Sequence, residues 1–241
     1  MQPQIKIYDF DQRSPEWYKV REGKITGTSV VNILGKADLQ KTKDAINNLA
    51  MKLAIESVFG MIESDYVDFD MQRGIDLEPS AIGLLADILG EDFIDVSKVG
   101  FIERTEHIGC SPDGITSNNC IAEAKCPNSK IFFTRCITRI IDPAYYKQIQ
   151  HQIFCADANG AYYMNYCVHM GKEYHYLQFV EPDLPMIELI KSRCEDVTES
   201  KLKYIPLLQE VKANKGITDL PTTTPITIHD QNITIHDSIK A

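Results

Sequence analysis

Residues Ser111 to Cys126 read SPDGITSNNCIAEAKC, and the fold of the chain turns on how this stretch is placed. From Ile121 to Lys125 every residue is small or apolar except Glu123 and Lys125, which stand two apart. Side chains alternate across a β-strand, so these two charges would project from the same face. Asp113 sits in a Pro-Asp-Gly turn ten residues before Glu123, and Ser117, Asn118 and Asn119 favour a tight reversal of the chain. A short hairpin would bring Asp113 back beside Glu123. The spacing therefore predicts a carboxylate pair, Asp113 and Glu123, with Lys125 alongside.

That set suits phosphodiester hydrolysis. The reaction needs charge neutralised on the phosphoryl oxygens, a deprotonated water and a stabilised leaving oxygen, and a carboxylate-held Mg²⁺ can serve all three. Mg²⁺ is a hard ion that takes oxygen ligands and keeps several waters, so two or three carboxylates on a rigid strand suffice. An ammonium beside the metal water would orient it. The plain alternative is a surface strand with an ordinary Glu/Lys pair; the turn at the right distance and the apolar strand around the charges favour the site.

Asp113, Glu123 and Lys125 match the PD-(D/E)xK nuclease signature, and the wording around them resembles phage exonucleases of the lambda exonuclease and YqaJ type. Three further blocks occur in the same order as in that family. Trp17, Arg21, Gly23, Ile25, Thr26 and Thr28 are similar to its W-x-x-x-R-x-G-x-I-T-x-S motif, with Thr28 in place of the usual serine. Gly74-Ile-Asp-Leu-Glu78 is similar to its helix glutamate block, and Ala144-Tyr-Tyr-Lys-Gln148-Ile-Gln150 to its Q-x-Q helix. The resemblance spans roughly Ser14 to Tyr204.

The resemblance implies an α/β fold with a restriction-endonuclease-like core, a central mixed sheet flanked by helices. It implies that Asp113, Glu123 and the backbone carbonyl of Ala124 hold one Mg²⁺, for which Mn²⁺ can substitute. Glu78 would help to hold a second ion or bridge through water, Lys125 would position the attacking water, and Gln148 would lie beside it. A DNA 5′-phosphate pocket would use Arg21, Thr26, Thr28 and Ser111. Double-stranded DNA ends, a single-strand annealing protein and a homo-oligomeric state, a trimer by resemblance, are the implied partners. The activity implied is 5′-to-3′ degradation of one strand of linear duplex. An endonuclease or nickase on the same fold, and a noncatalytic DNA-end-binding module, are the alternatives. The intact Asp113, Glu123 and Lys125 weigh against a pure binder, and Arg21, Thr26 and Ser111 favour an end-recognising enzyme over a nickase.

Composition bounds the rest. The 241 residues, 44% of them hydrophobic and 24% charged, suit one globular domain, which the resemblance implies is a single nuclease domain over 1–216, with a Thr/Pro-rich tail or hairpin over 217–241. The tail repeats Ile-Thr-Ile-His-Asp at 226–230 and 233–237, which reads as two short strands or as a solvated extension. Neither a membrane span nor a leader peptide is read, so a cytoplasmic location is expected. Seven cysteines without a C-x-x-C pair argue against a disulfide framework, a zinc site and an iron–sulfur cluster. The net charge of −9 is unusual for a DNA enzyme, since duplex binders commonly carry a basic stripe. Weak open-surface binding is expected, with DNA held by enclosure.

Local patterns place the elements. Ser14-Pro15 starts a first helix. The hydroxyl-rich Gly23–Ser29 stretch interrupts it, with Thr28 or Ser29 capping a short helix that follows, and forms a good phosphate seat. Lys41 to Phe59 and Gln72 to Leu89 read as helices. Phe93 to Glu103 and Ile108 to Lys125 read as strands of the central sheet. Asp142-Pro143 starts a helix to Ala156, with Tyr146, Ile149 and Ile153 buried and Tyr145, Gln148 and Gln152 on a face toward the metal site. A hairpin about Met170-Gly171 precedes a last helix from Leu184 to about Tyr204. Trp17 reads foremost as a core aromatic.

Overall fold

The computed structural model describes residues 4–34, 39–60, 68–92 and 94–216. The expectations for the 217–241 tail lie outside these residues. In chain order the elements are β1 (Lys6–Tyr8), α1 (Pro15–Arg21), α2 (Gly27–Ile33), α3 (Leu39–Phe59), α4 (Phe69–Gly90) and β2 (Val96–Ser97). There follow β3 (Phe101–Thr105), β4 (Ile108–Cys110), β5 (Gly114–Thr116), β6 (Ile121–Lys125), α5 (Ser129–Thr138), α6 (Pro143–Ala156), β7 (Ala161–His169), β8 (Lys172–Val180) and α7 (Leu184–Asn214).

The decisive stretch folds as the hairpin its sequence requires. β5 and β6 pair antiparallel with Gly114 opposite Ala122, and Asn119 takes the left-handed conformation (φ 58°) in the reversal between them. β6 then runs parallel to β7, which pairs antiparallel with β8. The result is a five-stranded mixed sheet in the order β2-β5-β6-β7-β8. The β7–β8 link is a two-residue turn in which Met170 and Gly171 both have positive φ, the geometry that matches the twist of hairpin strands.

Alternation along β6 builds two cores. Ala122 and Ala124 face α4, where Ala81, Leu85 and Leu89 pack with Met164 and Tyr166. Ile121 faces the other way, into the larger core of Ile25, Val30, Ile33, Ile149, Ile153 and Ile190 from α2, α6 and α7 and the segment before α2. Helices thus flank the sheet on both faces, the mixed α/β arrangement expected from the sequence. Glu123 and Lys125 share the Ile121 face by the same period of two.

Several elements differ from the sequence reading. β3 and β4 do not join the central sheet; with β1 they form a separate three-stranded sheet in the order β1-β3-β4. The cap of α2 is Thr26, not Thr28 or Ser29, and Ser29 instead turns back to accept a hydrogen bond from the Thr26 amide (2.8 Å). α5, started by Asn128, has no counterpart in the sequence reading; it is short and Phe132 is the one residue it fully buries. α7 runs ten residues beyond Tyr204, through the exposed Pro206. Among the described residues no helix is long and apolar enough to cross a membrane. All seven cysteines are free thiols.

Candidate active site

Glu123 is the centre of the site. It is 1% exposed, and a carboxylate so buried must be paired or hydrogen-bonded to remain charged. Lys125 contacts its Oε1 from two residues along the strand, and Gln148 Nε2 donates to the same oxygen at 2.8 Å. Gln152 Nε2 donates to Oε2 at 2.7 Å. Gln148 and Gln152 lie one turn apart on α6 and so reach the strand from one helix face. This is the face the sequence assigned to the site, although Gln152 was not among the residues given a role there.

Asp113 stands just before β5 and accepts a hydrogen bond from the Ala124 amide through Oδ2 (2.7 Å). The hairpin therefore brings it to Glu123 as the spacing requires. Burial and then the charges of Glu123 and Glu78 raise the Asp113 pKa well above the usual carboxylate range, against the opposing pull of Lys125 and the Ala124 amide. Burial works against the charged form of Lys125, yet Glu123 and Asp113 together hold its pKa above the ordinary lysine value. Its ammonium also lies 5.3 Å from the Tyr145 ring centre, while Arg135 approaches that ring at 5.0 Å. Arg135 comes from α5 and is a cation the sequence reading missed along with its helix.

Glu78 is less closely engaged. It belongs to α4, on the alanine face of β6, whereas Glu123 points to the α6 face; Asp113 lies between and is influenced by both charges. Glu78 and Asp113 line one cavity of about 350 Å³, where Glu78 pairs with Arg13 at 3.7 Å. Among the described residues no group of three or more His, Cys, Asp or Glu side chains is close enough to cage a metal ion. The donors that do converge, Asp113 and Glu123, are oxygen ligands whose mutual repulsion a hard divalent cation would relieve, so the pair fits Mg²⁺.

The second cluster is built around Arg21. Its guanidinium stacks on the Trp17 ring at 3.9 Å and donates to Ser111 Oγ at 2.9 Å, while the Trp17 indole N–H donates to the same oxygen at 2.8 Å. Trp17 is therefore a half-buried shelf for Arg21 and not a core residue. Ser111 accepts twice, which leaves its own hydroxyl hydrogen free to donate elsewhere. Burial draws the Arg21 pKa down to about 10, still well above neutrality. Arg21, Thr26 and Thr28 line a cavity of about 780 Å³ together with Lys24 and Lys52. Ser111 lies beneath Arg21, outside that lining.

Two buried charges missed by the sequence reading hold the turn between Arg21 and Thr26. Glu56 of α3 accepts from the Gly23 amide at 3.2 Å, and Lys201 of α7, only 4% exposed, donates to the Gly23 carbonyl at 2.7 Å. Gly23 has φ +65°, and a Cβ there would meet Ser57 Oγ at 2.0 Å, so only glycine fits. The two clusters also meet: a Cβ on Gly27 would stand 3.0 Å from Gln148 Cγ. No pairwise sequence signal announces the contacts of Glu56 and Lys201 with Gly23, because both are made to its backbone.

The YqaJ-like viral recombinase domain family matches residues 16–159 of the chain. The crystal structure of an alkaline exonuclease from Laribacter hongkongensis is 25% identical, with a TM-score of 0.68 over 84% of this chain and 100% of that one. A phage related exonuclease from Haemophilus somnus 129PT, 18% identical, shares the fold with a TM-score of 0.58 over 78% of this chain and 96% of that one. No curated protein matches the sequence.

Proposed function

The chain belongs to the YqaJ-like viral recombinase domain family, and on that premise we propose that it is an Mg²⁺-dependent exonuclease that degrades one strand of linear duplex DNA from a 5′ end. The observation that carries the reading is Glu123: a buried carboxylate beside Asp113, with Lys125, Gln148 and Gln152 fixed on its two oxygens. A site with only a structural role has no need of a second carboxylate whose ionised form is disfavoured next to the first.

Asp113 and Glu123, with the Ala124 carbonyl, would hold the ion, and Glu78 would join them for a second. Bound there, Mg²⁺ supplies charge neutralisation for the phosphoryl group and a more acidic water. The chain's own residues do the rest. Lys125 orients a water against the scissile phosphorus, and Gln148 and Gln152 keep Glu123 from rotating away. Arg21, with the hydroxyls of Thr26 and Thr28 that share its cavity and with Ser111 bonded to its guanidinium, takes the terminal 5′-phosphate, for which the two-pronged guanidinium is suited. A homo-oligomer enclosing the duplex would offset the net charge of −9. The product strand would pass to a single-strand annealing protein.

The test is digestion of linear and covalently closed circular duplex in Mg²⁺, with the linear form labelled at either its 5′ or its 3′ end. Loss of label from the 5′ end of linear DNA only is the expected result. Cleavage of the closed circle would replace the exonuclease with the nickase reading. Ca²⁺, with more ligands at longer distances, should support binding and little cleavage.

A further inference from the structure

We infer that Arg13 is a further DNA ligand, binding a backbone phosphate beside the Asp113–Glu78 cavity and distinct from the terminal phosphate taken by Arg21; this rests on the reading that DNA enters that cavity. Arg13 is in the left-handed conformation, φ 69°, at the third position of the turn in which the Ser14 amide donates to the Asp11 carbonyl at 3.2 Å. Glycine or asparagine suits such a position, and an arginine held there is strained.

The surroundings fix the strain in place. Gln12 donates through Nε2 to the carbonyls of Val99 (3.1 Å) and Pro112 (2.8 Å), which ties the turn to the residue before Asp113. Ser14 then caps α1 by accepting from the Trp17 amide. Arg13 is thus carried between the two candidate clusters, on the rim of the cavity of about 350 Å³ that Asp113 and Glu78 line. Lys98 also lines it but is paired with Asp11 at 2.6 Å. Arg13 is held more loosely, 3.7 Å from Glu78, with its side chain 47% exposed. Its guanidinium can leave that carboxylate for a phosphate without breaking a close bond. Between substrates it balances Glu78, and with DNA in place it bridges to the strand.

The test is the salt dependence of binding to a labelled linear duplex in Ca²⁺, for the full chain and for Arg13→Gly, Arg13→Lys and Arg13→Gly/Glu78→Gln. Glycine fits φ 69°, so Arg13→Gly should melt at or above the parent's temperature. It should nevertheless bind about tenfold more weakly at low salt, with the slope of log affinity against log salt reduced by about 0.9, the value of one lost phosphate contact. Arg13→Lys should keep the slope, and digestion of 5′-phosphate and 5′-hydroxyl ends should fall equally in Arg13→Gly. A parental slope and affinity in Arg13→Gly would overturn the assignment. So would their recovery in the double variant, which would reduce Arg13 to a counter-charge for Glu78. If Arg13→Gly shows the reduced slope but the parent releases no nucleotide in Mg²⁺, the exonuclease reading fails and the Arg13 contact stands.

Discussion

Charge and shape decide what Arg21 can bind. A terminal 5′-phosphate carries more negative charge than an internal diester, and the guanidinium that would meet it is fixed by the Trp17 ring beneath and by Ser111 Oγ at 2.9 Å. Arg21→Ala should slow digestion of 5′-phosphorylated ends at least tenfold while leaving 5′-hydroxyl ends nearly unchanged, measured as the ratio of the two rates. Arg21→Lys should recover only part, since an ammonium lacks the fork and stacks less well. Trp17→Ala should shift the ratio in the same direction by removing the shelf, a contact worth about 1 kcal/mol. An unchanged ratio in Arg21→Ala would remove this residue from the pocket. The pairing was legible in principle: Trp17 and Arg21 are four apart on a helix and so share a face. Residue type alone pointed Trp17 toward the core, and only the fold shows its indole N–H turned to Ser111.

At the scale of elements, β6 and α6 form one unit. Gln152→Leu would leave Glu123 Oε2 without its donor in a buried setting, which should destabilise the protein by about 1–3 kcal/mol and lower turnover with it. Denaturant unfolding and steady-state digestion check both halves. Gly27→Ala offers a cleaner separation. Its Cβ would press on Gln148 Cγ at 3.0 Å, so digestion should fall severalfold while the fold persists. Gly74→Ala, which meets nothing within 4 Å inside α4, should instead stabilise the helix by up to about 1 kcal/mol and spare activity. Equal activity losses in both variants would mean that Gln148 is not the cause. The β5–β6 hairpin and the start of α6 were readable because turn residues and caps are local signals. The assignment of β3 and β4 to their own sheet was not, since strand partners are chosen by distant residues such as Lys6–Tyr8.

Across the whole molecule the buried His151 makes stability depend on pH. Burial pushes its pKa from 6.5 down to about 3, so it folds neutral. Between pH 6.5 and 3 the unfolded chain binds a proton that the folded chain does not. Stability therefore falls as pH drops through that window, by up to about 1.4 kcal/mol per pH unit from this group. His151→Gln should flatten the slope of unfolding free energy against pH over the window, whatever it does to stability at pH 7. An unaltered slope would mean that His151 titrates alike in both states.

Distance along the chain decides which contacts the sequence could carry. Asp113, Glu123, Lys125 and Gln148 come together because hairpin, strand period and helix face each act over short range. Glu56 and Lys201 act on Gly23 from 33 and 178 residues away through its backbone, and no motif marks such contacts. Glu78 illustrates the opposite case: its motif singles it out, but α4 packs on the alanine face of β6, so it reaches Asp113 from the side opposite to Glu123.

The central claim is that Asp113 and Glu123 form the hydrolytic site, and the most direct test is nucleotide release from linear 5′-phosphorylated duplex in Mg²⁺ by the parent and by Asp113→Asn. Asparagine can still accept the Ala124 amide through its side-chain oxygen, so the hairpin should be kept while one carboxylate is lost. The account predicts a rate lower by about 10²-fold or more, with end binding in Ca²⁺ retained. Release at the parental rate by Asp113→Asn would contradict it.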